Sequence, residues 1–163
     1  QRTGKAVVAG FGGTAWVMWR LFRHGTEISE GIRSVAEWYM STLIRPDFVH
    51  ALFEHQTDLA IRNYEMLWNT VGDQVDVVFN LWYRFRNTRF AVLFGRRIRE
   101  LWLPYYKRLN DWIHTHTTWK IFKHSCGAVL PLIPAMIDAG FDILNPVQIN
   151  AKDMDSKSER TVW

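Results

Sequence analysis

The sequence predicts an α/β fold of successive βα units, on two observations. Short apolar runs rich in β-branched residues alternate with longer stretches of helical periodicity along the whole chain. Parallel strands need long crossover connections of that kind. Four such strands are half of an eight-stranded barrel or most of a small open sheet.

Taken in order, Val7 to Phe11 reads as a buried strand, and Gly10, Gly12 and Gly13 mark a tight loop at its end. Gly31 to Ile44 reads as a helix. Pro46-Asp47 begins another, because proline suits a first turn and aspartate complements its positive end. Leu52, Phe53, Leu59, Ala60 and Leu67 recur there at helical spacing, and Gly72 closes the run. Val75 to Phe79 has the pattern of a strand covered on both faces. A helix follows over Arg99 to His116, with Leu101, Tyr105, Leu109, Trp112 and Ile113 on its buried side. Trp119 to Lys123 is a strand leading into His124-Ser125-Cys126-Gly127. Val129 to Ala139 is helix-like, although Pro131 and Pro134 fit a first turn better than a helix middle. Asp142 to Val147 is the last strand, and no internal repeat or low-complexity tract interrupts the series.

At 163 residues and 48% hydrophobic, the chain has the size of one domain and the material for a core. No run approaches the roughly 18 uncharged apolar residues of a membrane helix. No signal segment opens the chain, and the absence of a methionine before Gln1 places the expected start upstream. Cys126 is the single cysteine, which excludes an internal disulfide and suits a reducing, cytoplasmic compartment. The formal charge of +4 is local. Arg84, Arg86, Arg89, Arg96 and Arg97 share one window without acids, and Arg20 and Arg23 share another. Without these arginines the balance is mildly acidic.

Five stretches carry a resemblance. They are Gly4 to Thr14, Val35 to Ser41, Leu103 to Arg108, Phe122-Lys123-His124-Ser125-Cys126-Gly127-Ala128 and Asp142-Ile143-Leu144-Asn145-Pro146-Val147-Gln148. In order and spacing they resemble the uroporphyrinogen decarboxylase superfamily, most closely its zinc- and corrinoid-dependent methyltransferase branch. The resemblance implies a (β/α)8 TIM barrel with its site at the carboxyl ends of the strands. Such a barrel takes about 250 residues. Residues 1–163 are therefore expected to be a uroporphyrinogen decarboxylase-like domain incomplete at both ends, holding about four βα units.

Two internal windows and the tail break the resemblance, and shifted reading frames account for all three. Dropping the first base of the Trp82 codon allows Gly-Thr-Asp-Phe-Gly-Thr-Gln ahead of a peptide that rejoins the chain at Arg99-Glu100-Leu101. Starting one base early at Trp16 allows Leu-Gly-Asp-Val-Ala, and a shift after Lys157 allows Ser-Leu-Lys-Glu-Arg-Tyr. On this reading the arginine-rich window is a translation artefact.

His124 and Cys126, two apart at a strand end, point to one side and can share a metal. Imidazole and thiolate are good zinc ligands; a buried histidine and a small core thiol are the plainer alternative. The resemblance implies that this pair belongs to a zinc site completed by a distant cysteine, which this chain does not contain. That zinc favours the thiolate of a substrate thiol, which takes a methyl group from a corrinoid. Asn145 and Gln148 either line the same pocket as cofactor-binding residues or simply make a turn at Asn145-Pro146. Asp155 resembles a family acidic position, although an exposed loop acid is the plainer reading. His114 and His116 are a poor ligand pair, being two apart on a helix.

The expected function is methyl transfer to a thiol, with zinc and a corrinoid as cofactors and a small-molecule thiol and a corrinoid protein as partners. True uroporphyrinogen decarboxylation, acting on a porphyrinogen without metal, is the alternative within the superfamily. A nucleic-acid-binding module through Arg84 to Arg99 with Trp82 and Tyr83 is an alternative of another class, as is an inactive pseudogene fragment with exposed sheet edges.

Overall fold

Four parallel strands with helices between them make up the computed structural model, which describes residues 4–10, 35–80, 99–125, 127–145, 148–151 and 154. The elements are β1 (Val8–Ala9), α1 (Val35–Ile44), α2 (Pro46–Val71), β2 (Val77–Asn80), α3 (Leu103–His116), β3 (Lys120–His124), α4 (Ile133–Asp138) and β4 (Ile143–Asn145). Prolines set where the helices start. Pro46 opens α2, and Pro104 and Pro134 stand second in α3 and α4. Proline lacks an N–H, and first-turn N–H groups have no partner inside the helix anyway. The helix expected from Arg99 is therefore interrupted by a turn at Trp102 and restarts at Leu103. Similarly, the segment expected from Val129 divides into a 3-10 turn at Leu130–Leu132, with Pro131 second, and then α4.

The sheet has the order β1-β2-β3-β4, and every neighbouring pair is parallel. An open doubly wound sheet reverses its order at a switch point; among the described residues this one runs in chain order. Right-handed crossovers then put α2, α3 and α4 on the same face. Packing agrees with this. Ala9, Val78, Ile121 and Leu144 join one core with Val49, Phe53, Ala60 and Tyr64 of α2, Leu109 and Ile113 of α3, and Met136 of α4. Val77, Phe79, Phe122 and Ile143 alternate with those strand residues, so they point to the opposite face.

An aspartate fixes the register at the start of two strands. The Val7 N–H donates to the Asp76 carboxylate at 2.8 Å, while the Asp76 and Val77 N–H groups both reach the Val7 carbonyl. The Ile121 N–H donates to the Asp142 carboxylate at 2.8 Å, and the Asp142 N–H returns to the Ile121 carbonyl. Asp76 stands just before β2, which begins at Val77, two residues later than the expected Val75. Gly72–Gln74 forms a 3-10 turn, and Val75 is extended without being paired.

Trp119 joins the helix layer to the sheet. It is 1% exposed, meets Trp68 edge-on at 5.2 Å and Tyr64 at 6.4 Å, and donates its indole N–H to the Gly72 carbonyl at 2.8 Å. The end of α2 is thereby held against the start of β3. Phe53, between Trp102 at 5.8 Å and Tyr105 at 5.5 Å, and Arg108, which bridges Glu54 and Asp58, hold α3 to α2. Replacing Trp119 with Phe keeps an apolar ring but removes the donor to Gly72, for an expected loss of about 1 kcal/mol. Trp119→Ala is expected to lose about 3–5 kcal/mol. Urea unfolding measures both, and a Phe variant as stable as the parent would show that the hydrogen bond contributes nothing.

Candidate functional site

Because β3 alternates, its side chains divide between two environments. Ile121, Lys123 and Ser125 are buried on the helix side, whereas Phe122 and His124 are half-buried on the other. On that second face the Phe79 and Phe122 rings lie 5.0 Å apart, and the His124 imidazole lies 6.2 Å from Phe79 at an interplanar angle of 51°. His124 ends β3 and is the register partner of Asn145, which ends β4. Imidazole and carboxamide meet at 3.4 Å between His124 Nδ1 and Asn145 Oδ1, a long contact. A carboxamide oxygen can only accept, so where this contact forms it is Nδ1 that donates.

The loop after β3 rests on β4 and the turn that follows it. Ser125 donates its N–H to the Asn145 carbonyl at 2.8 Å. Gly127, at φ +94°, donates its N–H to Gln148 Oε1 at 2.9 Å. Side-chain-bearing residues rarely adopt that backbone conformation. Of the site residues expected from sequence, His124, Asn145 and Gln148 thus come together at the carboxyl ends of β3 and β4. Cys126 lies outside the described residues, as does Asp155. The arginine windows at Arg20 to Arg23 and Arg84 to Arg97, and all three segments where shifted frames were inferred, also lie outside them.

A zinc ion asks for three or four nitrogen, sulfur or oxygen donors. The His124 imidazole is of the right kind for one of them. Among the described residues no three His, Cys, Asp or Glu side chains gather. His114 and His116 do not pair. His114 Nε2 meets Asp142 at 2.9 Å, and His116 stacks on Trp112 at 4.7 Å and bonds its carbonyl. Burial works against the charge on Asp142, but hydrogen bonds from His114, the Ile121 N–H and Lys120 outweigh it and hold the carboxyl below its usual range.

Sequence reading did not single out Lys123. It is 1% exposed, its Nζ lies 3.0 Å from the Tyr106 hydroxyl, and it sits over the Tyr106 and Phe141 rings at 4.4 and 5.4 Å. A cleft of about 20 Å³ adjoins it, lined by Leu132, Ala135, Met136 and Phe141, with room for about one water. Burial lowers the ammonium pKa to about 7 and pushes the Tyr106 phenol well up. The period-2 rule places Lys123 with Ile121; that this side is the dry one depends on α3 and α4.

No protein-family model, curated protein or solved structure matches the chain.

Between the folded value of about 7 and the ordinary 10.5, the unfolded chain holds the Lys123 proton more tightly than the folded one. Raising the pH through that window therefore stabilises the fold, and below pH 7 the cost of the buried charge is constant. Stability measured by denaturant unfolding is expected to climb from pH 7 to 10 in the parent by more than in Lys123→Met. Parallel profiles for the two proteins would place the titration elsewhere.

Proposed function

We propose that the chain is part of a uroporphyrinogen decarboxylase-like (β/α)8 barrel of the methyltransferase branch, serving zinc- and corrinoid-dependent methyl transfer to a thiol. The observation that carries this reading is the placement of His124 at the carboxyl end of β3, on the face away from the helices and beside the end of β4. Barrel enzymes put their chemistry at that end of the strands. Strands in chain order with helices on one side support the same reading, since a sheet of that kind covers its second face by closing on itself.

His124 would hold the metal through Nε2, with Asn145 fixing its tautomer. Cys126, two residues on, would supply a thiolate, and the remaining positions are left to an acceptor thiol and to a ligand beyond this chain's single cysteine. Bound there, zinc would lower the pKa of the acceptor thiol and keep it as the thiolate that takes the methyl group. Phe79 and Phe122 would form an apolar wall on which charge is less screened than in water.

Zinc and a small thiol are then expected to bind together, each tightening the other by the same factor. Zinc competition against a chromogenic chelator, with and without the thiol, measures this for the parent and for His124→Ala. At least a tenfold weaker zinc affinity and no thiol linkage are expected in the variant. Equal zinc binding by both proteins would overturn the proposal.

A further inference from the structure

The sequence left Asn145 and Gln148 as pocket lining or as part of a turn, and in the structure each has an oxygen within reach of the end of β3. Asn145 uses its carbonyl on the Ser125 N–H at 2.8 Å and its Oδ1 on His124 at 3.4 Å. Gln148 uses Oε1 on the Gly127 N–H at 2.9 Å, across 21 residues of sequence. Ser125 and Gly127 are the two residues that flank Cys126, the only cysteine. Each has its backbone N–H bonded, one to the last residue of β4 and the other to a side chain three residues later. A glycine held at φ +94° adds a conformation that the loop would otherwise leave readily for others.

We propose that Gln148 is a positioning residue. With Asn145 it forms a clamp from the end of β4 that holds the backbone at Ser125 and Gly127, the neighbours of Cys126 in sequence, and it does not itself touch the substrate. The metal aspect of this role rests on the zinc reading above; the clamp does not. The Gln148 oxygen is the acceptor for the part-buried Gly127 N–H. Removing that oxygen frees the loop on the far side of Cys126 while leaving the core untouched, since Gln148 is not part of it.

Three proteins test this: the parent, Gln148→Leu, which keeps the bulk but has no acceptor, and Gln148→Glu, which restores an oxygen. Amide exchange at Gly127 is expected to speed up at least tenfold in Gln148→Leu and to return in Gln148→Glu. The alkylation rate of Cys126, read without interference because the thiol is unique, is expected to change at least threefold and to be restored in the same way. Zinc affinity is expected to fall about tenfold in Gln148→Leu, as for other residues that orient metal ligands, with the melting temperature shared by all three proteins. Unchanged Gly127 exchange in Gln148→Leu overturns the clamp. A weakening common to both variants, with a lowered melting temperature, also overturns it, because the residue would then be merely structural. If the parent and His124→Ala bind zinc alike, the zinc reading fails, and exchange and alkylation still decide the clamp.

Discussion

Parallel pairing in chain order is the constraint on which everything else depends. It requires a helix between each pair of strands, it places those helices on one face by the handedness of the crossover, and it leaves the other face to Phe79, Phe122, Ile143 and His124. Both the core and the candidate site follow from that division. The amino ends of the strands carry register devices, Asp76 and Asp142, each taking a backbone N–H from the strand alongside. The carboxyl ends carry His124 and Asn145, so the register devices and the candidate site lie at opposite ends of the strands.

Lys123 shows how closely the two faces are linked. It precedes His124 by one residue and so must point the opposite way, into the apolar layer under α3 and α4. The Tyr106 hydroxyl and two aromatic faces are partners for its ammonium there, which offsets part of the cost of burial. Burying a cation in the main layer beside a candidate metal ligand is expensive, and an aliphatic residue would pack there at lower cost.

Much of the fold was legible because its signals are local. Proline cannot donate from a helix interior, so Pro46 announced a start and Pro131 and Pro134 were read as first-turn residues, whereas Pro104 was passed over and the breaks at Trp102 and between Leu132 and Ile133 were read through as continuous helix. The strands were found within a few residues. Their edges were missed where Asp76 works as a register lock ahead of β2. Among site residues, His124 was legible from its place at the end of an apolar run. The contacts that Asn145 and Gln148 make with the β3 end were not, because they depend on the cross-strand pairing of His124 with Asn145, and pairing is not written in either strand alone. Lys123 was missed for a related reason. Periodicity says which residues share a side, while solvent is excluded by helices elsewhere in the chain.

The hydrogen bond from Gly127 to Gln148 also has a consequence in time. A ribosome adding about 5–20 residues per second takes roughly 1–4 s to pass from Gly127 to Gln148, which are 21 residues apart. For that interval the segment carrying His124 and the only thiol exists without its support. The nascent chain therefore carries its thiol before the acceptor for the Gly127 N–H has been made.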